Sequence, residues 1–105
     1  MALRIERTED DGKSLITVSG MVDLYSSPEL RAAILKAVSK GEKALGVDLS
    51  GVEYMDSSGV ATLIEGLKSA GQKQTAFYLV SPSDSVMKVL QLSRLDTVFD
   101  IHSSL

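Results

Sequence analysis

Hydrophobic and polar residues alternate twice near the start of the chain, over residues 3–7 (Leu, Arg, Ile, Glu, Arg) and again over residues 14–18, with Asp10-Asp11-Gly12 between. Alternation with a period of two puts one side of each run in a core, so the pattern predicts a hairpin of two half-buried strands. The second strand is expected to stop at Gly20. From Met21 to Tyr25 no period holds, and Ser26-Ser27-Pro28-Glu29 then opens a helix. Ser27 as N-cap sets Pro28 at the first helical position, whereas Ser26 as N-cap would make a capping box with Glu29; the first arrangement is preferred. Leu30, Ala33, Ile34, Ala37 and Val38 recur at i, i+3, i+4, i+7 and i+8. That helix therefore buries one stripe, leaves Arg31, Lys36 and Lys40 in water, and ends at Gly41.

Ala44 to Leu49 is short, largely apolar and closed by Ser50-Gly51, as expected of an interior strand covered on both faces. A polar turn follows. A second helix begins at Asp56-Ser57-Ser58-Gly59, with Val60, Leu63, Ile64 and Leu67 inward, Thr62, Glu65 and Gly66 outward, and Lys68 and Gly71 at its end. Thr75 to Val80 reads as the next strand. Ser81-Pro82-Ser83-Asp84 caps a short helix with Val86, Val89 and Leu90 inward, Leu92 to Leu95 adds one more turn, and residues 98–101 make a last strand before a polar tail from His102. Strands alternating with helices of roughly 12 residues imply an α/β fold. The expectation is one domain over residues 1–105, with a mixed, mostly parallel sheet of four to five strands, about four helices and an N-terminal antiparallel hairpin.

Composition narrows the chemistry. The 105 residues can bury a core without disulfides or metal. With no cysteine and one histidine, thiolate catalysis, disulfides and nearly every zinc site are removed, and neither metal nor cofactor is expected. The net charge is −3 and the eleven cations are scattered, so no basic stripe marks nucleic acid as a partner. Residues 1–7 lack the apolar run of a signal peptide, and no segment approaches the roughly 18 apolar residues of a membrane span. A cytoplasmic protein with no direct membrane insertion is expected, monomeric when free because no large apolar run is left uncovered. No G-x-x-x-x-G-K loop and no G-x-S-x-G elbow occur, and His102 has no Ser and Asp constellation to join. The chain is not expected to be an enzyme, no catalytic residue is assigned, and His102 is read as solvated and incidental.

The turn at residues 56–59 admits two readings. Asp and Ser are favoured helix caps, and capping alone would account for one of the three polar side chains. Two adjacent hydroxyls and a carboxylate exceed that need, and a helix start with its unpaired amides and positive dipole end accommodates a phosphate. A phosphate on Ser57 would add about −1.5 to −2 charge without melting the helix, leaving its effect at the surface. Near Asp56, Glu53 and Asp23 it would make a dense negative spot that repels a partner accepting a neutral hydroxyl. Asp23 either satisfies turn amides or belongs to that same surface. Tyr25 joins it as a contact residue, Gly59 clears space for an approaching protein, and Tyr54 and Met55 are contacts or core.

These residues resemble those of the STAS domain, specifically the bacterial anti-sigma factor antagonists. The resemblance lies in Gly20-Met21-Val22-Asp23, in Val47-Asp48-Leu49-Ser50-Gly51-Val52 followed by Met55-Asp56-Ser57-Ser58-Gly59, and in Ser81-Pro82 with the later Leu95 and Phe99. It implies transcription control, in bacterial stress responses, by partner switching. An anti-sigma factor that is also a serine kinase phosphorylates Ser57, the unphosphorylated protein holds that kinase and frees a sigma factor, and a phosphoserine phosphatase resets the cycle. The partner-binding set is then Asp23, Tyr25, Asp56, Ser57, Ser58, Gly59 and Thr62. The alternative within the same family is a fixed subunit of a lipid-trafficking ABC transporter, or a stress-signalling scaffold, with no phosphorylation switch. Ser93-Arg94-Leu95 stands where many relatives carry Gly-Leu.

Overall fold

The computed structural model describes residues 3–103. Its elements in chain order are strand β1 (Arg4–Asp10), strand β2 (Lys13–Val22), helix α1 (Ser27–Ser39), strand β3 (Ala44–Met55), helix α2 (Ser57–Gln72), strand β4 (Ala76–Val80), helix α3 (Asp84–Leu92) and strand β5 (Asp100–His102). One sheet runs in the order β1-β2-β3-β4-β5, antiparallel between β1 and β2 and parallel elsewhere. The α/β class and the N-terminal hairpin are therefore as expected. Asp11 and Gly12 make the hairpin turn with φ of 53° and 79°, and Gly41, at φ 68°, closes α1.

From β2 onward every crossover steps the same way along the sheet, and right-handed crossovers then place all the helices on one face. The alternation along β4 agrees: Phe77 meets Gly66 of α2, while Tyr78 lies on the opposite face, over Gly46. Ile16 and Val18 from β2, Val47 and Leu49 from β3 and Leu79 from β4 are fully buried, together with Leu30 of α1, Leu63 of α2 and Leu90 of α3. Each such side chain contributes roughly 1.5–3 kcal/mol by leaving water.

Several expectations change, each for a local reason. β2 does not stop at Gly20 but reaches Val22, because two irregularities in register, at Thr17/Ser19 and Gly20/Met21, keep it paired with β3. β3 does not turn at Ser50-Gly51. It continues to Met55, and a Cβ on Gly51 would stand 2.9 Å from the Ser19 Cβ, so glycine there serves close strand approach. β3 is also covered by helices on one face only, Gly46 being buried on the other beneath the Tyr78 ring. The N-cap of α1 is Ser26 instead of Ser27, and its side chain makes no cap bond, since the hydroxyl is committed to the preceding turn. Ser27 opens the helix and is buried. α2 runs past Gly71 to Gln72, with Gln74 taking the left-handed conformation (φ 58°) beyond its end.

Three helices, not about four, lie among the described residues. After α3 the chain turns at once, with Arg94 at φ 59° and the Ser93 hydroxyl donating to the Val89 carbonyl at 2.6 Å. His102 is no tail residue: it belongs to β5, its ring centroid lies 4.7 Å from that of Tyr78, and its Nε2 is 3.1 Å from an Asp100 carboxylate oxygen.

Candidate functional site

The last residues of β2 and β3 end side by side, and the chain leaves each through an acidic residue. Asp56, in extended conformation, is the N-cap of α2. Its Oδ1 accepts from the Ser58 amide at 2.9 Å, from the Gly59 amide at 3.4 Å and from the Ser58 hydroxyl. Its own amide donates to the Val22 carbonyl at 3.1 Å, so the start of α2 is bound to the end of β2. These bonds hold the Asp56 carboxyl below its ordinary range, the Ser58 hydroxyl contributing most, followed by the amides of Ser58, Gly59 and Leu24.

Asp23 builds that loop. Its Oδ1 accepts from the Tyr25 amide at 2.9 Å and the Ser26 amide at 3.0 Å, while the Ser26 hydroxyl donates to the Met21 carbonyl at 2.8 Å. Asp23 thus satisfies turn amides, as one of its two readings expects, while staying partly exposed beside the strand ends. Its consequence is presentation: Leu24 is 67% and Tyr25 90% exposed. Leu24 is a feature that the sequence reading missed.

The two serines differ. Ser58 is half-buried, its hydroxyl donating to Asp56 and its carbonyl accepting from the Thr62 hydroxyl at 3.0 Å. Ser57, the first residue of α2, is exposed, and its hydroxyl has no hydrogen-bond partner among the described residues. It stands at the wall of a hollow of about 260 Å³ between α2 and the segment from α3 to Leu95.

Two residues of the expected partner-binding surface, Thr62 and Gly59, lie elsewhere than the sequence implied. Thr62 is buried, 6% exposed, because the inward arc of α2 is wide, and its hydroxyl is satisfied by donating to the Ser58 carbonyl. Gly66, also expected outward, packs against Ile34 and Phe77. Gly59 is buried too; a Cβ there would stand 2.6 Å from Met55 Cγ and 2.8 Å from a Val22 methyl. Its missing side chain lets α2 settle on the strand ends and does not clear a path for a partner. Met55 is core, while Tyr54 is 47% exposed. The surface around Ser57 is thus built from Leu24, Tyr25, Tyr54 and the outer side of α3, where Leu92 is 76% exposed. The signal for Leu92 was its apolar side chain outside the inward spacing of Val86, Val89 and Leu90.

Removing the cap tests this geometry. Asp56→Ala is expected to lower stability by about 1.5 kcal/mol near neutral pH, the usual loss of a good N-cap, read as a lower urea midpoint. Because the Asp56 carboxyl is depressed in the folded protein, its contribution is present above the ordinary aspartate range, near pH ~4, and fades as pH falls through the folded value. The gap between the two proteins should narrow steadily from about pH 6 to pH 2. A gap that widens toward acid would contradict the assignment.

Comparisons with known proteins agree with this fold. Residues 5–101 match the family model described as Mlab, STAS domain. The anti-sigma-B factor antagonist of Listeria monocytogenes is 30% identical over 102 residues, covering 96% of this chain and 90% of the relative. That of Staphylococcus aureus is 28% identical over 102 residues, covering 97% and 94%. The crystal structure of an anti-sigma factor antagonist from Mycobacterium paratuberculosis superposes with a TM-score of 0.90 at 29% identity, covering 99% of this chain and 88% of that one. With its sheet order, its cap at Asp56 and a match along nearly its whole length, the chain belongs to the STAS domain family, among the anti-sigma factor antagonists.

Proposed function

We propose that this protein is an anti-sigma factor antagonist switched by phosphorylation of Ser57. One observation carries the assignment of the serine: of the two hydroxyls at the start of α2, that of Ser58 is held by Asp56, while that of Ser57 is exposed and free. In the reaction the Ser57 oxygen attacks the γ-phosphorus of ATP, the bond from that phosphorus to the β-phosphate bridging oxygen breaks, ADP leaves, and the hydroxyl proton passes to the kinase. The unphosphorylated protein holds an anti-sigma serine kinase and so frees a sigma factor; the phosphorylated protein releases the kinase, and a phosphoserine phosphatase restores the hydroxyl. The protein acts in the cytoplasm, as a monomer when free and not as an enzyme. No helix among the described residues is long and apolar enough to cross a membrane.

The test is an intact-mass and phosphopeptide measurement on the protein from its own host, in resting and stressed cultures. The expected result is one phosphate, on Ser57, with occupancy that changes between the cultures. A phosphate found on Ser58 instead would overturn the assignment. If Ser57 stays unmodified in both cultures while the protein copurifies in fixed ratio with a membrane permease or ATPase, a permanent transporter subunit replaces the switch.

A further inference from the structure

We infer that the crease between α2 and α3 receives an apolar side chain of the kinase, and that phosphate on Ser57 blocks docking because closing the crease would strip its water. This deepens, and rests on, the partner-switching reading. Ser57 lies in the wall of the 260 Å³ hollow, whose other sides are chiefly Val60, Ala61, Ile64, Val89 and Leu95. The one other hydroxyl there, on Ser93, turns back to the Val89 carbonyl at 2.6 Å. Ser57 is therefore the free polar group in an aliphatic surface. Across Val89 lies a second hollow of about 210 Å³, bounded by Tyr54, Met55 and Leu92.

The occupant follows from continuity and size. Any protein that approaches Ser57 closely enough to phosphorylate it covers the hollow that Ser57 lines. A cavity of about 150 Å³ holds benzene, so the larger hollow has room for one big aliphatic or aromatic side chain of that protein. Charge gives no competing instruction. The groups around the crease are mixed: Lys88 lines the second hollow, Arg94 lies in the turn between Ser93 and Leu95, and Glu53, Asp84 and Asp96 are near them in the chain. The Asp56 carboxylate is engaged by the amides of α2. In the free protein a phosphate at this helix start is favoured by the dipole and by water. It becomes unfavourable when an apolar side chain closes over it, because a charge removed from water without a partner is strongly penalised.

A desolvation block is indifferent to the sign of the charge, whereas repulsion is not. The probe is the kinase purified from the host by its transfer of phosphate from ATP to Ser57, with binding followed by titration calorimetry. Ser57→Asp and Ser57→Lys should each lose 100-fold or more in affinity, while Ser57→Met, of similar length to Lys but uncharged, should stay within about tenfold of Ser57→Ala. Raising salt from about 0.05 to 0.5 M should not rescue the phosphorylated protein, although it screens exposed charges strongly. Ala61→Asp, at an exposed crease position, should lose docking with Ser57 untouched and the melting temperature unchanged. If Ser57→Lys binds like the wild type, or salt restores the phosphorylated form, repulsion is the mechanism: the inference falls and the switch stands. If Ser57→Asp binds as well as Ser57→Ala, the switch itself falls.

Discussion

Ser57→Asp is expected to bind the kinase at least 100-fold more weakly than Ser57→Ala, a difference of about 3 kcal/mol, with no loss of folding stability. The two halves of this prediction come from the same position. Ser57 is the first residue of α2 and is exposed, so an added carboxylate stays in water in the free protein and lies at the positive end of the helix. Negative charge there stabilises a helix by about 0.3–1 kcal/mol, and the melting temperature should hold or rise slightly. Binding responds oppositely because the hydroxyl stands at the edge of the apolar crease. Calorimetric titration and thermal unfolding of the same two variants separate the effects. Equal affinities would remove Ser57 from the switch, and a lower melting temperature for Ser57→Asp would mean that weak binding reflects unfolding.

Gly59→Val is expected to destabilise the fold by about 3 kcal/mol, the upper part of the range for overpacking a filled core. A Cβ at Gly59 meets Met55 Cγ and a Val22 methyl at 2.6 and 2.8 Å, and the valine methyls need still more room. Met55 and Val22 are themselves buried, at 3% and 0% exposure, so neither can swing into solvent. Relief requires α2 to lift from the strand ends, which would also carry Ser57 away from its position beside the crease. Gly59→Ala should cost less, because one methyl is smaller and alanine regains about 1 kcal/mol of helix propensity over glycine. Chemical denaturation of both variants tests the ordering; a Gly59→Val protein as stable as the wild type would mean that the helix start is not seated as described.

Much of the fold was readable from periodicity because its strands are either edge or interior. β1 and β2 alternate clearly, and α1 shows an unbroken buried stripe from Leu30 to Val38. The strand ends were not readable. Gly51 has the composition of a turn, yet it lies mid-strand against Ser19, and only the neighbouring strand reveals that a side chain is excluded there. Thr62 and Gly66 were misplaced for a related reason: α2 packs against α1 as well as the sheet, so its buried arc is wider than the Val60–Leu63–Leu67 stripe suggests. At the site, the sequence identified the helix start and its acidic cap. Ser57 was singled out there by the family resemblance; the physical difference between the two hydroxyls, which depends on the one that the Asp56 carboxylate reaches, was not readable.

The lashing of Asp56 to Val22, Ser58 and Gly59 also bears on the tempo of the proposed switch. A helix start held this firmly needs no folding step before a partner recognises it, so association should proceed at about 10⁵–10⁷ M⁻¹s⁻¹, the ordinary range of preformed surfaces. Under the proposed switch, the lifetime of each regulatory state would be set by kinase and phosphatase turnover, and the domain itself would add no lag between a signal and its transcriptional response.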